Sequence, residues 1–237
     1  MVPHSCGKIF TLSGTEELNV TLTRRQVFAT TSILAGAGVA GALLGSSSVA
    51  QAAAEIDQAD LAKAGPDGDI VLGSEKAPVT LIEYASMTCP HCAHFATATF
   101  PELQKRYIDN GKVRFIFREF PFDALAAAGF MLARCAGKDK FLPVVDTLFA
   151  KQSEWMVQKP VPALMGIAKQ FGFTQESFDK CLANQQVLDG IQDVRDRAAE
   201  KLGVNSTPTF FVNGKKLVGD QSIDALAKEI EPYLKEG

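Results

Sequence analysis

Two cysteines three positions apart, Cys89 and Cys92, constrain the structure of this chain more than any other feature. They lie where a strand-like run, residues 79–84, gives way to a helix-like run, residues 91–109. A disulfide with this Cys-x-x-Cys spacing closes within the first helical turn. Because unpaired N–H groups and the positive end of the helix dipole meet Cys89 there, a thiolate is favoured. The spacing therefore predicts a redox-active pair.

The motif reads Cys89-Pro90-His91-Cys92, and each residue has a chemical reason to be there. We expect Cys89, the more exposed sulfur, to be the nucleophile and Cys92 to be the resolving thiol. Pro90 fixes φ and lacks an N–H, which suits a first helical turn. His91 can place positive charge beside a thiolate. On the motif alone, a structural disulfide, half of a zinc site and two buried thiols remain alternative interpretations.

Length, charge and cysteine count narrow the class of protein. The 237 residues are 46% hydrophobic, enough to bury the core of one domain or two. The net charge of −3 gives no indication of nucleic acid or an anionic membrane as a partner. Cys6 precedes a predicted processing site, and the other four cysteines are Cys89, Cys92, Cys135 and Cys181. An even number suits two disulfides in an oxidising compartment.

The first 54 residues have the pattern of an export signal. Arg24-Arg25 precede a stretch rich in Gly, Ala and Ser, residues 33–50, and small residues follow at 50–54 with an A-x-A pattern. Paired arginines in this setting resemble a bacterial twin-arginine signal. We predict that residues 1–54 are cleaved and that residues 55–237 form one domain in the periplasm. An uncleaved membrane anchor is the alternative.

The order of predicted elements indicates an α/β fold. A polar lead-in contains at most one short strand, residues 70–72, before the strand, the helix and a second main strand at 113–120. Residues 121–203 carry only helical periods. A hairpin at 209–218 and a last helix then complete the chain. This order predicts a thioredoxin-like fold with a helical insertion between the second main strand and the C-terminal β-hairpin.

Thr207-Pro208 stands directly before the hairpin. A proline ahead of a strand can be an ordinary turn residue, but thioredoxin-like proteins keep a cis-proline beside the active disulfide at this place in the fold. Pro208 cannot donate a hydrogen bond, so the backbone of Thr207 is left to pair with an extended peptide substrate. We therefore expect both residues to bind substrate.

Over residues 70–235 the chain resembles the bacterial DsbA family of thiol oxidases. The residues that carry the resemblance are Cys89-Pro90-His91-Cys92, Thr207-Pro208, Asn213-Gly214 and Glu83. The resemblance implies a periplasmic enzyme that passes its disulfide to newly exported, cysteine-containing proteins. It also implies reoxidation by a DsbB-like, quinone-linked membrane oxidase. With the cysteine pair as the redox group, no cofactor and no metal are expected.

Glu83 lies six residues before Cys89, inside the predicted strand. Strand alternation groups it with Leu81 and Ala85 on one face. The resemblance favours a carboxyl buried under the disulfide that carries the proton of Cys92, with its own pKa raised by desolvation. A partly exposed glutamate at a sheet margin is the alternative.

Cys135 and Cys181 fall in the helical block. Some DsbA-like proteins carry a second disulfide, and a bridge here would join two helices and stabilise the fold by ~4 kcal/mol in the chain-entropy model. Two buried free thiols are the alternative. A zinc site that uses all four cysteines is disfavoured, because the sequence has no second Cys-x-x-Cys.

Two other functions remain open from the sequence. Thr207 stands where enteric oxidases of the family have Val, and isomerase-type relatives also have Thr there, so a disulfide isomerase or reductase is one alternative. A non-catalytic chaperone that binds peptides in the same groove is the other.

Overall fold

Within residues 57–235, the part of the chain that the computed structural model describes, five strands form one mixed sheet. The strands are β1 (Ile70–Leu72), β2 (Val79–Ala85), β3 (Val113–Glu119), β4 (Thr209–Val212) and β5 (Lys215–Val218). Their order in the sheet is β1-β3-β2-β4-β5. β2 and β3 run parallel, and the other neighbouring strands are antiparallel. The predicted strands are confirmed to within a residue at each end.

The sheet separates two apolar clusters, and the side chains of its central strand β2 reach both. Leu81 and Ala85 pack into the larger apolar cluster, on the face that also receives Cys92 and Phe95. Tyr84 packs into a smaller cluster on the opposite face. The alternation that the sequence predicts for this strand is confirmed, because neighbouring side chains point to opposite faces of a pleated sheet.

The helical stretch that follows β2 alternates between α-helical and π-helical turns. It consists of α2 (Pro90–His94), a π-helical turn (Phe95–Thr99), α3 (Phe100–Leu103) and a second π-helical turn (Gln104–Ile108). The short helix α1 (Gln58–Ala62) is separate from this stretch and precedes β1. The sequence predicts a kink at Pro101, and the structure places a π-helical turn immediately before it. There the Phe100 N–H donates to the Phe95 carbonyl, five residues back. A wider turn accommodates the missing N–H and the bulk of a proline ring.

The predicted helical insertion is confirmed. Its helices are α4 (Ala124–Cys135), α5 (Lys138–Ala150), α6 (Gln152–Trp155), α7 (Pro160–Ala168), α8 (Gln175–Leu182) and α9 (Gln185–Leu202). Side-chain caps fix several of their first turns: Asp123 accepts from the Ala126 N–H, and Thr174 forms a capping box with Ser177. Lys151 separates α5 from α6 within this block.

The C-terminal hairpin turns at Asn213-Gly214, as the sequence predicts. Both residues have positive φ, 44° and 91°, as a type I′ turn requires. Asn213 also ties the hairpin to β2, because its Oδ1 accepts from the Thr80 N–H at 2.8 Å. The last helix, α10 (Ile223–Leu234), begins after Ser222, whose side chain accepts from the Ala225 N–H.

One sequence expectation is wrong. The polar lead-in was expected to hold no more than the strand at 70–72, yet α1 forms there as well. Asp57 caps this helix, and Leu61 is buried in the smaller cluster. Arg118 stabilises the helix, because its guanidinium donates to the Leu61 carbonyl at 2.9 Å and also pairs with Asp69. Five residues are too few for a stable helix alone, so tertiary contacts decide this element.

The predicted export signal, residues 1–54, lies outside the described residues. Among residues 57–235 no helix combines the length and the apolar composition that crossing a bilayer requires.

Candidate active site

The structure places Cys89 at the junction between β2 and α2. Cys89 is the N-cap of α2, and Pro90 is the first helical residue. The Cys89 N–H donates to the Ser86 carbonyl at 3.0 Å, and the Cys89 carbonyl accepts from the Ala93 N–H at 3.1 Å. Two backbone hydrogen bonds therefore fix the position of Cys89 at the positive end of the helix.

Cys89 and Cys92 both carry free thiols in this structure, and they differ in exposure. Cys89 is partly exposed, whereas Cys92 has no exposed surface. The Cys89 thiol donates to the Thr207 carbonyl, with Sγ and O 3.2 Å apart. The peptide bond between Thr207 and Pro208 is cis, as the sequence predicts. The loop before β4 thus lies directly beside the outer sulfur.

The environment of Cys89 favours its thiolate. The pKa of Cys89 is lowered from 9.0 to about 5, chiefly by the hydrogen bond from the Cys92 thiol and against the opposing effect of partial burial. The Thr207 side chain and the backbone N–H groups of Cys92 and His91 contribute to the same shift. Hydrogen bonds to the charged form are a well-defined cause of such a shift. Cys89 is therefore suited to be both a leaving group and a nucleophile near neutral pH.

Cys92 has the opposite character. Burial raises the pKa of its thiol far above the ordinary value, and the hydrogen bond to Cys89 and the charge of Glu83 act in the same direction. A Cys92 thiolate formed when a disulfide breaks would therefore take up a proton at once.

Glu83 lies beneath the cysteine pair and is buried, with 3% of its surface exposed. Its Oε1 has no hydrogen-bond partner among the described residues. Desolvation raises the pKa of this carboxyl well above 4.5, and the charges of Asp146, Cys89 and Asp220 raise it further. The alternative of a partly exposed carboxyl at the sheet margin is excluded. A neutral carboxyl next to Cys92 can supply or accept a proton.

The two histidines near the motif are both exposed. His91 favours the Cys89 thiolate through its backbone N–H. His94, one turn further on, is hydrogen bonded through Nδ1 to Asp220 in the loop before α10. No sequence pattern indicates this pair, because Asp220 is 126 positions away.

Two further side chains, Gln152 and Asp123, hold the active-site loop from the helical insertion. The Gln152 amide in α6 donates to the Met87 carbonyl at 2.9 Å and to the Cys89 carbonyl at 3.1 Å. The Thr88 hydroxyl donates to Asp123 at 2.7 Å. No motif marks Gln152 or Asp123, so the sequence analysis missed them. They connect the insertion to the loop that carries the reactive sulfur.

Cys135 and Cys181 are bonded to each other, and their disulfide joins the C-terminal ends of α4 and α8. This bond leaves Cys89 and Cys92 as a separate pair, so a zinc site shared by all four cysteines is excluded. In the described part of the chain, no three His, Cys, Asp or Glu side chains cluster as a metal site would require.

Comparison with known proteins identifies the family. Residues 66–232 match the family model described as thioredoxin. Disulfide bond formation protein D of Bacillus subtilis is 30% identical over 177 residues, which is 71% of this chain and 78% of that protein. The crystal structure of Wolbachia pipientis alpha-DsbA1 superposes with a TM-score of 0.66 at 31% identity, covering 70% of this chain and 92% of that one. The chain belongs to the thioredoxin family, among its DsbA-like members.

Two further similar proteins differ in how much of their length this chain covers. A Rickettsia conorii protein named as a protein-disulfide oxidoreductase is 33% identical over 172 residues, 72% of this chain. The match spans 62% of that relative's length. BdbD of Bacillus subtilis, in its oxidised crystal form, has a TM-score of 0.63 at 26% identity and is covered over 93% of its length.

Proposed function

We propose that this protein is a thiol:disulfide oxidoreductase, and that it acts as an oxidase that passes the Cys89–Cys92 disulfide to other proteins. The observation that carries the proposal is the contrast between the two sulfurs. The pKa of Cys89 is lowered to about 5, whereas burial raises the pKa of Cys92. A stabilised Cys89 thiolate favours the reduced form, so the disulfide form readily accepts two electrons.

The reaction proceeds by two exchanges. A client thiolate attacks Cys89 Sγ, the Cys89–Cys92 bond breaks, and a mixed disulfide forms between the client and Cys89. Cys92 leaves as a thiolate and takes a proton that Glu83 supplies. A second client thiolate then attacks the client sulfur of the mixed disulfide. Cys89 leaves as a thiolate, the client keeps the disulfide, and two electrons have passed to the cysteine pair.

Thr207 and Pro208 form the surface against which the client lies. The Thr207 carbonyl is 3.2 Å from Cys89 Sγ, so a client backbone that pairs with this segment brings its own sulfur next to Cys89. The clients are unfolded or newly exported proteins with cysteines. This part of the proposal rests on the position of the segment beside the outer sulfur.

The cellular setting follows from the N-terminal sequence and the family. Residues 1–54 would direct the protein to the periplasm and be removed there. A DsbB-like, quinone-linked membrane oxidase would restore the Cys89–Cys92 disulfide after each turnover. Two of the similar proteins carry names that refer to disulfide oxidoreduction or disulfide bond formation, which supports the proposed chemistry.

Equilibration with glutathione mixtures tests the direction of the reaction. We expect a reduction potential far above the value of about −270 mV that thioredoxin has, and a potential near that value would favour a reductase. Cys89→Ser should abolish oxidation of a reduced client. If Cys89→Ala still bound clients and the native protein did not turn them over, the protein would instead be a peptide-binding chaperone.

A further inference from the structure

Two separate segments have to stay next to each other during the proposed reaction. Cys89 begins α2, whereas the client would lie along Thr207-Pro208 in the loop before β4. A hydrogen bond from the Cys89 thiol to the Thr207 carbonyl, at 3.2 Å, links them directly. That bond requires a proton on Cys89. It is therefore lost when Cys89 is a thiolate, when it is bonded to Cys92 and when it is bonded to a client.

A second connection between these segments does not depend on the sulfur. The Pro208 carbonyl accepts from the Gly219 N–H at 2.8 Å, in the loop that follows β5. The next residue, Asp220, reaches across to α2, where its Oδ2 lies 2.5 Å from Nδ1 of His94. The connection thus runs from the cis-proline to the helix of Cys89 through one backbone hydrogen bond and one side-chain pair.

The loop between β5 and α10 is held in a fixed shape. The Gln221 amide donates to the carbonyls of Val218 and Gly219, at 3.1 Å and 3.0 Å. Gly219 has a φ of 86°, a left-handed conformation that suits glycine. Because Asp220 directly follows this glycine, a contact that anchors the Asp220 side chain also fixes the position of the Gly219 N–H.

The position of Asp220 is not explained by stability. Its side chain is 23% exposed, and its Oδ1 is buried without a hydrogen-bond partner among residues 57–235. A buried carboxylate oxygen without a partner destabilises a fold. The side chain of His94 is 65% exposed, and ion pairs with so much exposure contribute little to the free energy of unfolding. The segments that the pair connects explain its position better.

We propose that His94 and Asp220 form a clasp that holds the client-binding segment, Thr207-Pro208, beside α2 whenever Cys89 carries no proton. Both are positioning residues, because in the described structure neither is hydrogen bonded to a sulfur of the active pair. Histidine can supply the hydrogen at Nδ1 in its charged form or as the Nδ1–H tautomer, so the clasp does not require one charge state. The inference rests on the proposed function and adds to it how the client is held.

The test compares a peptide client with a small dithiol. The oxidised protein is mixed with an excess of a synthetic, unstructured peptide that carries two cysteines, or with dithiothreitol, and each reaction is quenched and alkylated at intervals. The dependence of the rate on peptide concentration separates the half-saturation concentration from the maximal rate. Dithiothreitol has no backbone to pair with Thr207-Pro208, so its rate reports on the sulfurs alone.

His94→Ala should raise the half-saturation concentration for the peptide by about fivefold, the upper range for a partly exposed ion pair. The maximal rate and the rate with dithiothreitol should stay within about twofold of the native values. Asp220→Ala should raise the half-saturation concentration to the same extent. The double variant should be no worse than either single variant, because both side chains act through one contact.

Two further variants separate the hydrogen bond from the charge. Asp220→Asn removes the charge that raises the pKa of Glu83 but keeps an oxygen that can accept from His94. Its half-saturation concentration should therefore be close to that of the native protein. Asp224→Ala removes an exposed acid from the first turn of α10 and should leave the half-saturation concentration and both rates unchanged.

The clasp is wrong if His94→Ala and Asp224→Ala have equal half-saturation concentrations, or if Asp220→Asn is as impaired as Asp220→Ala. Equal slowing with peptide and with dithiothreitol would also overturn it, since the effect would then lie at the sulfurs. The proposed oxidase function fails by a different result, namely a low potential in the glutathione equilibrium. In that case the same comparison is made in reverse, with the reduced protein and the oxidised peptide, so the two failures are distinguishable.

Discussion

Cys89 and Thr207 show how single residues set the redox chemistry. As a thiol, Cys89 donates to the Thr207 carbonyl, and the Thr207 hydroxyl has no partner in the described structure. Once Cys89 is a thiolate, the Thr207 side chain helps to lower its pKa. The Thr207 hydroxyl therefore stabilises the thiolate form of Cys89 selectively over the thiol form.

Thr207→Val tests this contribution. Valine has a similar shape and no hydroxyl, so we expect the pKa of Cys89 to rise from about 5 toward its ordinary value. The equilibrium constant for oxidising glutathione should fall by roughly tenfold. Ultraviolet titration of the thiolate and the glutathione equilibrium provide both measurements. Thr207→Ser, which keeps the hydroxyl, should resemble the native protein, and an equal loss in both variants would contradict the role of the hydroxyl.

Helix α4 connects the two cysteine pairs. At its N-terminal end, Asp123 accepts from Thr88 next to the active-site cysteines, and at its C-terminal end Cys135 is bonded to Cys181. Its 12 residues span about 18 Å, so the second disulfide lies a helix length from the Asp123–Thr88 contact. The Cys135–Cys181 disulfide should therefore affect the stability of the protein rather than the pKa of Cys89.

Replacement of both Cys135 and Cys181 by Ala should lower the free energy of unfolding by about 2–4 kcal/mol. The disulfide closes a loop with a sequence separation of 46, and the chain-entropy model gives about 4 kcal/mol for that length. Denaturant unfolding of the oxidised forms measures the loss. The equilibrium constant between glutathione and the Cys89–Cys92 pair should change by less than about twofold. A large change in potential with little loss of stability would show that the second disulfide acts on the active site instead.

The sequence predicted those elements whose causes are local. Period-two alternation placed Glu83 on the face of Leu81 and Ala85, a proline at the first helical turn marked the start of α2, and Asn213-Gly214 specified the hairpin turn. Gln152 and Asp220 could not be predicted, because each hydrogen bonds to the site across more than 60 positions of chain. The π-helical turns and α1 depend likewise on tertiary packing, which leaves no local pattern.

Because the pKa of Cys89 is lowered on folding, the free energy of unfolding of the whole protein depends on redox state and on pH. The pKa of Cys89 is lower in the folded protein than its ordinary value of 9.0. The stability that a folded thiolate contributes is therefore complete above about pH 9, declines as pH falls, and is lost near pH 5. The oxidised form has no such thiolate. We expect the advantage of the reduced form in unfolding experiments to grow between about pH 5 and pH 9.

The decisive measurement compares the free energy of unfolding of the oxidised and reduced proteins at neutral pH, with the Cys135–Cys181 disulfide intact in both. Selective reduction of the Cys89–Cys92 pair, verified by alkylation, provides the second sample. A strongly oxidising pair requires that the folded protein be more stable with its active cysteines reduced, because the thiolate is stabilised only in the folded state. We predict that the reduced form unfolds at higher denaturant concentration. A reduced form that unfolds before the oxidised form would contradict the account.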